Sequence, residues 1–191
     1  MEKVKDLILY QIVKNRHYKV GDKIFFNENT ITGQYEKVFQ RKYQIENIRL
    51  ANLFYDFKQN KKIVKKNIRP IAYLCDDYDL LVRELAVEKI RKEYYKEMPS
   101  RLHCMYLSLS KETALINFEK SREKHLQAVA VKLRGKIFKC GNSMLDRNGG
   151  SFEDYEKMAH AYWSQGEVAD ADVKEILFEG EAEIVEILKE R

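Results

Sequence analysis

The sequence predicts an α+β fold in a single domain, with helices packed on a mixed or antiparallel sheet. Three observations lead there. The chain has 191 residues, 45% of them hydrophobic and 34% charged, which suits one well-buried core in a globular protein. Strand-like and helix-like stretches alternate along it, with no Ser/Gly-rich linker, no internal repeat and only two prolines, Pro70 and Pro99. The last two strand-like stretches are too close together for the crossover that a doubly wound parallel sheet requires.

The elements follow in order. Leu7 to Val13 reads as an apolar strand interrupted by Gln11, whose amide needs a partner if it is buried. Gly21-Asp22 is the turn into a second strand, "KIFF". Between about Arg41 and Lys58, the residues Ile45, Ile48, Leu53, Phe54 and Phe57 recur at roughly helical spacing, so a helix is expected there. A stronger helix spans Leu80 to Lys96, with Val82, Leu85, Ala86, Ile90 and Tyr94 on one face and Glu88–Lys92 as an i,i+4 pair. Pro99 follows its end. "LHCMYLSLS" reads as a strand, and Ser110 as the N-cap of the helix "KETALINFEKS". "AVAVKL" is a short β-branched strand. Ser151 and Asp154 stand in capping-box spacing before a helix with Phe152, Tyr155, Ala159 and Tyr162 on one face. "EILFE" and "AEIVEIL" close the chain as two strands separated by Gly180.

Several function classes find no support. There is no G-x-G-x-x-G, no P-loop and no H-E-x-x-H. The histidines His17, His103, His125 and His160 are scattered, and no metal site is expected. Ser108 and Ser110 sit in no nucleophile elbow, and Cys140 in "CGNSM" reads better as an incidental turn residue than as a nucleophile. No apolar run approaches the roughly 18 residues of a membrane span, and the N-terminus lacks the pattern of a secretion signal. Three cysteines without metal spacing (Cys75, Cys104, Cys140) point to reduced thiols and a cytoplasmic protein. The net charge of +5 suits a nucleic-acid partner. Its densest cluster, residues 58 to 69, reads either as a solvated segment or as a phosphate-contacting patch.

Three segments in order carry a family resemblance. "LYQIVKNRHYKVGDKI" resembles the first strand and loop of ADP-ribosyltransferases, "PSRLHCMYLSLSKETALINF" their second motif, and "VKEILFEGEAEIVEI" their third, in which a Glu opens a strand. The arrangement looks closest to the small bacterial antibiotic-modifying transferases, and to an uncharacterised bacterial domain family in that superfamily. "RELAVEKIRKEYYKEMPSRLHCMYLS" and the later "YW" suggest the latter. The resemblance implies an ADP-ribosyltransferase-like split of the sheet, with NAD as substrate bound in the cleft, and no metal.

Residue by residue, the resemblance makes Glu175 the carboxylate that stabilises positive charge developing on the ribose as nicotinamide leaves. The plainer reading is a solvated strand-end acid beside Glu179, Glu181 and Glu183. Tyr106 is expected to stack on the nicotinamide, or else to be a core tyrosine. Ser108 shares its strand face and would serve the ribose. Arg101 would reach the NAD pyrophosphate, or serve as an ion-pair partner. In the first strand, Gln11 stands where relatives more often carry a ribose-bonding histidine; Gln offers a donor and an acceptor at similar reach. The backbone of Ile12 would meet the nicotinamide amide, and Tyr10 lies on the opposite strand face from Gln11, in a packing position.

The function so implied is NAD-dependent mono-ADP-ribosylation of a protein or nucleic acid, by analogy in an intracellular toxin or phage-conflict role with a neutralising partner protein. The alternatives are a non-enzymatic nucleic-acid-binding module on the same fold and an NAD glycohydrolase.

Overall fold

A computed structural model describes residues 1–14, 16–40, 44–45, 48–49, 58–59, 65–141, 145, 150–164, 173 and 175–191, of which 37, 44–45, 48–49 and 65–70 are described by backbone alone. Two long strands dominate it. Strand β6 (Leu126–Cys140) lies between β1 (Glu2–Lys14) and β7 (Glu175–Glu190) and pairs with both along nearly its whole length. The far edge of β7 carries two short strands in line, β5 (Met105–Leu107) against Phe178–Ile176 and β2 (Lys23–Phe26) against Glu183–Gly180. Every pairing is antiparallel. The sheet is open except for one rung: Tyr10 on β1 and Ser108 after β5 exchange backbone hydrogen bonds of 3.1 and 2.8 Å.

The curl that brings β5 round to β1 depends on two glycines. Gly135 and Gly180 face each other across β6 and β7. A Cβ on Gly135 would stand 2.1 Å from the Glu179 carbonyl oxygen, and one on Gly180 would stand 2.4 Å from that of Arg134. Gly180 also has φ +138°, a backbone conformation that residues with a side chain rarely adopt. The sequence expectation of two strands separated by Gly180 is thus corrected to one coiled strand, because glycine here lets the ladder bend without breaking. A bulge at Asp6, with φ 62°, adds a second irregularity on β1.

Strand alternation sorts the residues to two faces. Inside the curl lie Leu9, Val13, Met105, Leu107, Val129, Val131, Leu133, Ile176, Phe178 and Ile184. The outer face is covered in two places. Helices α2 (Lys65–Tyr94) and α4 (Phe152–Trp163) pack over Phe138, Cys140 and Leu177, while α3 (Lys111–Lys120) seats Phe118 on Leu126 and Ala128. Cys140 is therefore a fully buried strand residue. Ser110 caps α3 by accepting from the Thr113 N–H at 3.1 Å, and Ser151 and Asp154 form the expected capping box on α4. The remaining described elements are α1 (Gly33–Tyr35), running into a π-helical turn at Glu36–Gln40, and a small separate pair of strands, β3 (Gln44–Ile45) and β4 (Ile48–Arg49).

Three expectations need correction. Residues 44–45 and 48–49 pair as strands, so the helix expected from Arg41 to Lys58 is not formed there. Ile45 stands opposite Ile48, and a spacing of three residues serves a tight hairpin as well as a helix. Most of that stretch, and most of the basic cluster at 58–69, lies outside the described residues. Helix α2 starts at Lys65 rather than Leu80, with Pro70 inside it. Of the expected apolar face, Ala86 and Ile90 are buried, but Leu85 and Tyr94 are exposed (42% and 63%) while Glu84, Glu88 and Arg91 are buried. Ion pairing makes that burial affordable. Finally, "LHCMYLSLS" is strand only at Met105–Leu107; before it, the Cys104 N–H donates back to the Ser100 carbonyl at 2.9 Å in a tight turn.

Because both glycines face backbone rather than flexible side chains, Gly180→Ala and Gly135→Ala should each destabilise the protein by more than about 3 kcal/mol. Urea unfolding followed by the fluorescence of Trp163, the sole tryptophan, measures this; a loss under 1 kcal/mol would mean that the curl tolerates a side chain.

Candidate functional site

The turn between α2 and β5 sends one arginine inward. Arg101 is buried, with its side chain 7% exposed, and a guanidinium so placed needs both hydrogen bonds and countercharge. It finds them on three elements. Its Nε donates to Glu84 Oε2 of α2 at 3.3 Å, and its Nη1 donates to Tyr162 Oη of α4 at 2.9 Å and to Glu175 Oε1 at the start of β7. Tyr162 Oη in turn donates to the same Glu175 oxygen at 2.8 Å. The guanidinium also lies 5.1 Å from the ring centroid of Tyr162 and 5.6 Å from that of Tyr106. Tyr106 Oη donates to the Arg101 carbonyl at 2.8 Å, closing the turn. Glu84 receives a second cation, since Arg83 Nη2 donates to its Oε1 at 2.6 Å.

Charge and burial compete throughout this cluster. Burial pushes the Glu84 carboxyl up, but Arg101 and Arg83 beside it outweigh that and leave it below its usual value. Burial disfavours the charged guanidinium of Arg101, yet Tyr106 and the carboxylates of Glu84 and Glu175 hold it well above its ordinary range. The hydroxyls of Tyr106 and Tyr162 are pushed well up, chiefly by burial, so both remain proton donors. Two guanidinium cations face two carboxylate anions, which makes the group neutral.

Glu175 is the member that reaches outward. Its side chain is 25% exposed, and both hydrogen bonds it receives fall on Oε1, leaving Oε2 with no partner among the described residues. It stands on the outer face with Leu177, next to a junction of three strands. The β5–β7 register pairs Leu107 with Ile176, and one further step sets Ser108 opposite Glu175. Ser108 in turn is the residue bridged to Tyr10. Since backbone groups alternate in direction along an antiparallel strand, the N–H and C=O of Ile12 point to the same edge of β1 as those of Tyr10. The side chain of Ile12 packs against the Phe118 cluster.

The expected site residues therefore divide. Tyr106, Ser108, Arg101 and Glu175 come together on the outer face, with Tyr10 at the adjoining rung. Gln11 does not join them. It shares the inward parity of Leu9 and Val13, so its side chain lies on the opposite face of β1 from Ser108. Its Oε1 is fully buried and has no hydrogen-bond partner among the described residues, an arrangement that costs about 1–3 kcal/mol when nothing answers it. Of the two readings of Arg101, the geometry is that of an ion-pair partner. Sequence reasoning missed Glu84 and Tyr162. Their signal was a charged residue on the apolar side of α2 and a tyrosine on the buried stripe of α4. The described residues contain no group of three or more His, Cys, Asp or Glu placed to hold a metal, and no helix among them is long and apolar enough to cross a membrane.

Residues 9–190 match the model of a family described as a protein of unknown function, DUF2441. The chain belongs to that family. The match takes in β1 from Leu9 onward, the Arg101 turn, β5 and β7, so every residue of the cluster lies inside the DUF2441 region. No curated protein matches the chain.

The Glu84 shift contributes to the pH response of this DUF2441 chain. A carboxyl whose folded pKa is lowered contributes stability that is present above its unfolded value, near 4.5, and lost as pH falls through the lower folded value. Stability should thus drop below about pH 4.5, and Glu84→Gln should flatten that part of the profile. At pH 7 the same change should cost about 3–5 kcal/mol, because Arg101 and Arg83 then lose a buried countercharge. Urea midpoints of both proteins at pH 7 and pH 4 test this; an unchanged wild-type midpoint at pH 4 would contradict it.

Proposed function

We propose that this chain is an NAD-dependent mono-ADP-ribosyltransferase acting on a macromolecule, with its reactive site where β1, β5 and β7 meet. The observation that carries the reading is Glu175: a carboxylate held on one oxygen by Arg101 and Tyr162, with the other oxygen unpartnered among the described residues, near Ser108 and the Ile12 edge. When bound, NAD supplies a glycosidic bond whose cleavage builds positive charge on the ribose. A carboxylate fixed in place before reaction stabilises that charge without having to reorient. Glu175 Oε2, without a partner among the described residues, would accept from a ribose hydroxyl, Ser108 offers a hydroxyl nearby, and the Ile12 backbone offers the donor–acceptor pair that a carboxamide requires. A stacking role for Tyr106 rests on the resemblance alone: its ring packs against the outer core and Arg101, and its hydroxyl donates to the Arg101 carbonyl. Arg101 holds Glu175 rather than the pyrophosphate.

One observation favours a second reading, a binding module on the same fold without turnover. Gln11 faces away from Glu175, so the side chain expected to hold the ribose does not share its face. Incubating the protein with labelled NAD and a cell lysate separates the readings. Label on protein or nucleic acid supports transfer, and free ADP-ribose alone supports hydrolysis. Absence of turnover, with salt-sensitive retention on nucleic acid, supports the module. If transfer occurs, Glu175→Gln should lower its rate by about 10²–10³-fold with the fold intact by circular dichroism; full turnover in that variant would remove Glu175 from the site.

A further inference from the structure

A polar pocket of about 100 Å³ lies on the same sheet face as Glu175, where the end of α2, the Ser100 turn and the segment after β2 converge. Glu179 lines it, four residues along β7 from Glu175 and so about 13 Å away. One wall is rigid. Arg91 is buried (9% exposed), its Nε and Nη2 donate to Glu88 at 3.0 and 2.8 Å, and its Nη1 donates to the Met98 carbonyl at 3.0 Å. A guanidinium carries five N–H groups, so two remain unspent. Burial disfavours its charge, but Glu88, and then Glu179 and Glu28 across the pocket, keep it protonated above its ordinary value.

The other charges around this pocket are less tightly held. Lys96, Lys136, Glu28, Glu97 and Glu179 all line it, and among the described residues none of these side chains makes a hydrogen bond or ion pair. Lys136 and Glu179 even face each other across β6 and β7 without pairing. Three cations and three anions thus surround a space about two-thirds the size of one that takes a benzene ring. A simple anion would leave the carboxylates facing like charge, and a simple cation would do the same to the lysines and Arg91. A dipolar ligand satisfies both.

We propose that this pocket binds a small zwitterion of the α-amino-acid class, its carboxylate on the spare N–H groups of Arg91 with Lys136, and its ammonium on Glu179 and Glu28. The inference is independent of NAD chemistry, so an absence of NAD turnover leaves it intact. Glycine, L-alanine and L-serine, titrated into the full chain by calorimetry and by amide NMR, should bind saturably and shift the signals of Ser100, His103 and Cys104. Acetate and methylammonium, each carrying half the charge pattern, should bind at least about tenfold more weakly, the worth of one lost charge-assisted bond. Glu179→Gln and Lys136→Gln, at partly exposed positions, should keep the fold and each weaken zwitterion binding about tenfold. Equal binding of acetate or methylammonium, indifference to both variants, or no saturable binding of any amino acid would each overturn the proposal.

Discussion

A buried guanidinium organises this molecule. Arg101 is removed from water, and its charge is tolerable only because carboxylates and hydroxyls from separate elements close round it. Those elements are far apart in sequence: Glu84 on α2, Tyr162 on α4, Glu175 on β7. None can move without leaving a charge uncompensated, so one side chain fixes how two helices sit against the start of the last strand. The neighbouring pair repeats the device, with Arg91 held by Glu88, to which Ser100 Oγ also donates at 3.0 Å. Buried ion pairs of this sort are weak evidence for stability, since hydrophobic replacements can do as well. Their stronger effect is geometric, because they admit few alternative arrangements.

The second constraint is backbone contact between strands. With no Cβ at Gly135 or Gly180, β6 and β7 approach and bend together, and β5 is carried round until Ser108 meets Tyr10. Without that curl, β1 and β7 would present their chemistry on separate parts of the sheet. With it, the Ile12 edge, the Ser108 hydroxyl and the Glu175 carboxylate lie around one junction. A carboxylate anchored by one oxygen and presented by the other is what the transferase reading rests on, and the anchoring comes from Arg101 and Tyr162.

Gln11 is the residue whose meaning changed most. In the sequence it is an amide within an apolar strand, at a position that the family resemblance links to ribose binding. In the fold it points into the curl, with its oxygen buried and unanswered among the described residues. An orphaned acceptor in a close-packed interior is costly.

The sequence by itself determined the local elements. Ser110, Ser151 and Asp154 announced two helix starts, the Gly21-Asp22 turn announced β2, and the apolar run from Leu7 to Val13 announced the centre of β1, because capping, turn chemistry and short apolar runs act over a few residues. It also singled out Glu175, Tyr106, Arg101 and Ser108, which the fold does gather on one face. Only the tertiary structure decided the rest. Which face of α2 is buried depended on Arg101, from the turn beyond the helix, meeting Glu84, a pairing that no helical periodicity encodes. Whether Gly180 ended a strand or bent one depended on Gly135, 45 residues away. And the side to which Gln11 turned depended on the register of β1 against β6, since a shift of one residue exchanges the two faces of a strand.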